Sequence, residues 1–213
     1  MLDFKAAIFD LDGTLIDSMN VWEKIDIEFL AKRNFSVPEG YIAKVSSMSF
    51  NEAADYTISF FGLKENPKDM IEEWNQMAIY KYSHEIKLKP HTKEYLLYLK
   101  KNGIKLGTAT ALPNNLYVPV LKNNGVYDMF EAHTSVDEVQ MGKGYPDIYL
   151  LAAKKLGTLP KDCIVFEDVF IGIKSIKEAG MKACGVYDKY SEHERDEIVN
   201  TADCYIYDFK EIM

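Results

Sequence analysis

The amino-acid sequence predicts an α/β fold: a doubly wound parallel sheet with a small α-helical domain inserted after the first strand. Two observations carry that expectation. Short apolar runs that stop at polar residues alternate with helical stretches, and residues 18–85 break the alternation with helical patterns alone. Strand, helix, strand in that order builds βαβ units, whose sheet is covered on both faces and whose strands read as continuous apolar runs.

The first run, KAAIFD (5–10), ends at Asp10 and reads as a buried strand. In SMNVWEKIDIEFLAKRN, Met19, Trp22, Ile25 and Phe29 recur at three and four, so an amphipathic helix is expected there, with Ser18 as its cap. SFNEAADYTISFFG and PKDMIEEWNQMAIYKYSHEI read as two more helices, and no strand is expected in this region. Hinges fall near Leu15–Ser18 and Glu85–Pro90. An insertion of this length far exceeds an ordinary βα loop, so residues 17–87 are read as a cap domain of their own and residues 1–16 with 88–213 as the α/β core. In the core, TKEYLLYLKKNG (92–103) puts Tyr95, Leu96 and Leu99 on one helix face and stops at Gly103. IKLGTAT (104–110) is the next strand, PDIYLLAAKKLG (146–157) a helix opened by Pro146 and closed by Gly157, DCIVFED (162–168) a strand, IGIKSIKEAG (171–180) a helix and MKACGVYD (181–188) a strand.

The bulk numbers exclude several classes. The 213 residues carry a formal charge of −8, with 47% hydrophobic and 27% charged residues, the balance of a globular protein with one sizeable core and an appendage. Nucleic acid and anionic membrane call for a basic patch, so neither is an expected partner. Cys163, Cys184 and Cys204 are odd in number and lack C-x-x-C spacing, which argues against a disulfide framework or a zinc site and for small buried thiols in a reducing cytosol. No apolar run approaches a membrane span and the N-terminus is unlike a signal peptide, so the expected location is cytoplasmic. The histidines at 84, 91, 133 and 193 show no ligand spacing.

In parallel α/β sheets, ligands bind outside the carboxyl ends of the strands. The first strand delivers Asp10 and Asp12 there, the second Thr108 and Thr110, and DCIVFED delivers Glu167 and Asp168. The loop QMGKGYPD adds Lys143 just before a helix. Thr108 points the same way as Thr110 but deeper, and is read as structural. Crowded carboxylates repel and raise one another's pKa. A hard divalent cation removes that cost, and Mg²⁺ prefers oxygen ligands, with one or two carboxylates completed by a substrate phosphate. Asp10 and Asp168 are the natural ligands, with the backbone carbonyl of Asp12 a third.

DLDGT after an apolar strand, the threonine closing IKLGTAT, GKGYPDIYL, and VFEDVFIGIKSIKEAGM resemble, in order, the four signatures of the haloacid dehalogenase-like (HAD) superfamily of phosphotransfer enzymes. The helical insertion after DLDGTLIDS, the FED…GI…AGM ending and TADCYIYDFKEI resemble its β-phosphoglucomutase-like and phosphoglycolate-phosphatase-like branch. The resemblance covers the whole chain and implies a Rossmann-like core with a helical cap. It implies a Mg²⁺-dependent phosphatase acting through an aspartyl phosphate. Asp10 would be the nucleophile and Asp12 the general acid, then base. Thr110, the backbone N–H of Ala111, and Lys143 would hold the phosphoryl oxygens, and Lys143 could keep Asp10 ionised. Asp10, Asp12, Asp168 and Glu167 would form the metal set, Glu167 directly or through water. Gly13 would allow a sharp turn that Thr14 steadies.

The cap would exclude bulk water and choose the leaving group, with Trp22 and the loop AKVSSMSFN (43–51) as its inward-facing positions. Here the chain departs from the mutase pattern. The mutase branch has a histidine where this chain has Trp22, and an arginine after its VS, where this chain has VSSMSFNEA. Lys44 or Lys81 could offer a cationic grip, but neither sits at a matching position. A phosphatase of small metabolites, sugar or polyol phosphates, is therefore expected ahead of a β-phosphoglucomutase-like isomerase. The expected partner is a small phosphorylated metabolite, and the expected state a monomer or weak homodimer.

Overall fold

The computed structural model describes residues 3–46 and 48–213. The chain divides into two compact units, Met1–Met19 with Ile86–Met213, and Asn20–Glu85.

The first unit is an α/β sandwich around a parallel sheet. Its strands are β1 (Ala6–Phe9), β2 (Lys105–Thr110), β3 (Ala132–Ser135), β4 (Cys163–Glu167), β5 (Lys182–Val186) and β6 (Cys204–Ile206), in the order β3-β2-β1-β4-β5-β6. This is the doubly wound, Rossmann-like order. The chain winds outward from β1 through β2 to β3, then returns to β4 on the other side of β1 and winds the opposite way. The winding direction therefore reverses at the β1/β4 pair, the point at which parallel α/β sheets bind their ligands.

Successive residues of a strand face opposite sides, and the two faces of this sheet differ. On one, Phe9 stacks on Phe166 at 4.7 Å between ring centroids, with Tyr95 edge-on to Phe9 at 6.4 Å and stacked on Phe209 at 5.3 Å. Tyr95 comes from the helix Thr92–Lys101, whose buried face also holds Leu96 and Leu99. On the other, Ile8, Val165, Ala109 and Ala183 pack with Ile148, Ala152, Ile173 and Ile176, the last four from the helices Asp147–Lys155 and Phe170–Glu178. Each core strand expected from an apolar run is present within it. β3 and β6, not read as strands above, are short and carry polar residues, and they form the two sheet edges.

The second unit is helical: α1 (Val21–Ala31), α2 (Tyr41–Val45), α3 (Phe50–Phe61) and α4 (Pro67–His84). A reciprocal capping box between Ser49 and Glu52 starts α3, and Asn66 followed by Pro67 starts α4. Phe29 meets Trp74 edge-on at 5.4 Å, and the Arg33 guanidinium lies 3.5 Å over the Phe29 ring while bonding Glu65 and Glu73. Two expectations are corrected here. The buried stripe of α1 is Val21, Ile25 and Phe29, spaced by four, which leaves Trp22 off that stripe and 39% exposed. Trp22 nonetheless packs edge-on against Phe50 at 5.2 Å. Ser18 does not cap α1; Asn20 holds the cap position and the Ser18 hydroxyl donates to Asp12. In the loop 43–51, Ser47 lies outside the described residues.

Within the first unit the two connecting segments pair with each other. Asp17 N–H donates to the Lys87 carbonyl at 3.0 Å and Lys89 N–H to the Leu15 carbonyl at 2.9 Å. Lys89 also forms a 2.8 Å ion pair with the buried Asp188 beyond β5. Among the described residues no helix is long and apolar enough to cross a membrane.

The aromatic face sets a measurable stability. Phe209 is 1% exposed and touches Phe9, Tyr95 and Phe166. Phe209→Ala is expected to cost about 3–5 kcal/mol through lost burial and the cavity left behind. Urea unfolding checks this, as a lower midpoint at an unchanged slope.

Candidate active site

The segment after β1 is a tight turn. Asp10 N–H still donates to the Phe166 carbonyl of β4 at 3.0 Å. The N–H groups of Thr14, Leu15 and Ile16 then converge on the Leu11 carbonyl at 3.1, 2.9 and 3.0 Å. Gly13 makes this possible. Its φ is +78°, and a Cβ there would lie 2.3 Å from Asp168 Oδ2. Glycine thus serves both the left-handed backbone and the close approach of a carboxylate from the end of β4. Thr14, expected to steady the turn, donates its hydroxyl to Asp168 Oδ1 at 3.0 Å.

Asp10, Glu167 and Asp168 are 4%, 1% and 1% exposed, and each offers an oxygen within 4.8 Å of the others. Lys143 reaches into the group from the loop before the Asp147–Lys155 helix. Its ammonium pairs with Asp10 and lies 2.9 Å from Glu167 Oε2. The Tyr149 hydroxyl donates to the same Glu167 oxygen at 3.0 Å. Gly172 leaves room for this acid, since a Cβ there would lie 2.6 Å from Glu167 Cγ.

The electrostatics follow from burial. Burial first, then the charge of Glu167, push Asp10 up to about 7 in spite of Lys143. Asp168 is held well above the usual carboxylate range by burial, then by Glu167 and Asp10. Burial pulls Lys143 down, but Asp10 and Glu167 outweigh it and hold the lysine well above its ordinary value. Asp168 Oδ2 is buried and finds no hydrogen-bond donor among the described residues. A buried oxygen left unpaired is costly. With two further carboxylates beside it, it suits a hard divalent cation, which takes oxygen ligands. Asp10, Glu167 and Asp168 are the side chains able to hold one.

The other expected residues stand around this centre. Asp12 is not part of the three-acid group; it follows on the same turn with its carboxylate bonded by the Ser18 hydroxyl. Thr110 ends β2, fully buried, and its hydroxyl oxygen accepts the Leu112 N–H at 3.1 Å. Ala111 lies exposed in the loop that follows. Thr108 bonds His133 Nδ1 at 3.2 Å, in keeping with its structural reading. The Tyr149 contact and the partners of Thr14 and Ser18 have no signature in the sequence motifs. Tyr149 leaves one trace: a tyrosine on the apolar face of a helix needs a partner for its hydroxyl.

Buried acids and a lysine thus gather at the switch point of the strand order, where parallel α/β sheets bind ligands. A sequence profile of the haloacid dehalogenase-like hydrolases matches residues 7–186. The β-phosphoglucomutase of Bacillus subtilis (strain 168) is 32% identical over 198 residues, covering 85% of this chain and 83% of that protein. Hexitol phosphatase B of Escherichia coli (strain K12) is 26% identical over 189 residues, covering 84% and 81%. A solved Thermotoga maritima structure, described as a candidate β-phosphoglucomutase, superposes with a TM-score of 0.86 at 22% identity, covering 98% of this chain and all of that one. The chain belongs to the haloacid dehalogenase-like hydrolase family. It is an enzyme of that hydrolase family.

The raised Asp10 gives a pH test. Between its unfolded value of 3.8 and about 7, the folded protein keeps a proton that the unfolded chain has lost. Stability of the cation-free protein therefore falls as pH rises through that window. A cation binds the ionised site and relieves the repulsion. The rise in Tm on adding millimolar MgCl₂ is expected to be larger at pH 8 than at pH 5.5, and thermal melts at both values check it. Gly13→Ala is expected to lower Tm at either pH, through a strained φ and a clash with Asp168.

Proposed function

We propose that the chain is a Mg²⁺-dependent phosphomonoester hydrolase of small phosphorylated metabolites, sugar or polyol phosphates, working through an aspartyl-phosphate intermediate in the cytoplasm. The observation that carries this reading is the meeting of Asp10, Lys143, Glu167 and Asp168 at the point where the strand order reverses. Asp10, Asp168 and Glu167, with the backbone carbonyl of Asp12, are the proposed ligands. A bound cation would supply charge neutralisation of the phosphoryl oxygens and of the clustered acids.

The Asp10 carboxylate attacks phosphorus in line, the bond from phosphorus to the ester oxygen breaks, and Asp12 gives its proton to the departing alkoxide. Asp12, now ionised, takes a proton from water as that water attacks the same phosphorus. The bond from phosphorus to Asp10 breaks, and inorganic phosphate leaves. Lys143, the Thr110 hydroxyl and the Ala111 N–H hold the phosphoryl oxygens through both steps. The 17–87 insertion is read as the cap domain that selects the leaving group.

A sugar-phosphate mutase is the second reading, favoured by the likeness to β-phosphoglucomutase. A phosphorylated intermediate that must turn around needs a cationic grip on its second phosphate. Trp22 stands where the mutase pattern has a histidine, and no arginine follows VS in VSSMSFNEA. Lys81, one residue that could have served, is 2% exposed with its ammonium between Glu28 and Glu85. Hydrolysis is the better supported outcome.

A panel of sugar and polyol phosphates with Mg²⁺ is expected to release inorganic phosphate. Interconversion of isomers without release would favour the mutase. Asp10→Asn is expected to lower kcat/KM by roughly 10⁴-fold or more. Asp12→Ala is expected to lose about 10²–10⁴-fold on alkyl phosphates. With an aryl phosphate, whose leaving group needs no proton, it should give a stoichiometric burst and then stall. Wild-type rates in Asp10→Asn would remove the mechanism.

A further inference from the structure

The thiols of Cys184 and Cys204 lie on neighbouring parallel strands as direct register partners, next to the Gly185↔Tyr205 pair at the start of β6. Register partners in a sheet project to the same face. Neighbouring strands run about 4.8 Å apart, inside the Cα window of roughly 4.4–6.8 Å in which a disulfide can close. The Cys184 thiol is directed at the Gly185 carbonyl, 3.8 Å away. The register places the pair on the aromatic face, in line with Phe166. One row of register partners, Thr108, Phe9, Phe166, Cys184 and Cys204, crosses that face.

The two cysteines are unequal in the way a reactive pair requires. Cys184 is fully buried, whereas Cys204, on the edge strand, is partly open to solvent. The neighbouring Cys184 thiol holds the Cys204 thiol below its ordinary pKa, with help from Lys182 and against burial, Asp203 and Asp3. Cys204, then burial, pushes the Cys184 thiol far up. A partly exposed thiol with thiolate character is the one that reacts first, and a neighbour still holding its proton is placed to resolve it. The third cysteine is a contrast. Cys163 is buried among the aliphatic residues of the opposite face, its thiol is directed at the Leu159 carbonyl, and burial pushes it to about 11.

We propose that Cys184 and Cys204 are a redox-active dithiol, oxidised by hydrogen peroxide to a disulfide between β5 and β6. The Cys204 thiolate attacks one peroxide oxygen and the O–O bond breaks. The departing hydroxide takes a proton and leaves as water, and Cys204 becomes a sulfenic acid. The Cys184 sulfur then attacks the Cys204 sulfur, the S–O bond breaks, and a second water leaves with the Cys184 proton. Two thiols give up two electrons and one peroxide becomes two waters. Thiol–disulfide exchange with a dithiol reverses the reaction. The reaction uses no residue of the carboxylate site, and its test is independent of the phosphatase reading.

The full chain, reduced and freed of reductant, is treated with hydrogen peroxide and its thiols are counted in denaturant. Three thiols are expected to fall to one, and to return to three with dithiothreitol. Tryptic peptides 183–189 and 196–210 should appear cross-linked and lighter by two hydrogens, while 162–174, with Cys163, stays reduced. Cys204 is expected to react at least about 10-fold faster than Cys163, as its thiolate character dictates. Cys184→Ser should stop at a sulfenic acid on Cys204 that dimedone traps, and Cys204→Ser should keep both remaining thiols. The proposal is overturned if peptides 183–189 and 196–210 stay unlinked in the oxidised wild type. It is equally overturned if Cys163 reacts as fast, or if disulfides form between chains. The wild-type peptide readout stands even if neither serine variant folds.

Discussion

One ammonium stands among three buried carboxylates and pairs with two of them, and that imbalance governs the rest of the site. Lys143 bridges Asp10 and Glu167, but Asp168 keeps an oxygen with no donor among the described residues. Burying charge is tolerable only when it is paired and hydrogen-bonded. Every neighbouring feature answers to that requirement. Thr14 takes one oxygen of Asp168, Tyr149 shares Glu167, and glycines at 13 and 172 let the backbone come close enough for the acids to converge. The fold supplies the place. β1 and β4 are neighbours in space though distant in sequence, so charged side chains from the two can cluster at the end of a sheet whose central strands are buried.

Much of this was legible because strong local chemistry and fold agree. The runs ending at Asp10, Thr110 and Asp168 are continuous and apolar, as a strand buried on both faces demands. Their order along the chain then implies which ends meet. β3 and β6 were not legible: AHTS and CYI are too short, at four and three residues, for any alternation of apolar and polar positions to emerge. Their pairing comes from neighbours rather than from propensity. The helix Asn114–Asn123 was hidden by Pro119 in its interior.

At the site, residue types were legible and partners were not. DLDGT announces acids in a turn, but nothing in the spacing says that Thr14 bonds an acid 154 positions away. Ser18 has the residue type and position of a helix cap, and a tertiary partner took its hydroxyl instead. Trp22 shows the same limit, since a period of three or four fits two adjacent stripes of α1 and only packing against α4 selects Val21, Ile25 and Phe29. In the helical unit, Lys81 spends its charge on Glu28 and Glu85, which a lysine in a sequence cannot disclose.

Calorimetric titration of Mg²⁺ into the wild-type protein and Asp168→Asn, in two buffers of different ionisation heat near pH 7, tests most directly whether the acid cluster is built for a cation. One Mg²⁺ per chain is expected in the wild type, with a buffer-dependent heat that reports proton release from the raised carboxylates, and binding lost in Asp168→Asn. Equal affinity in both proteins, or a wild-type heat independent of buffer, would contradict the account.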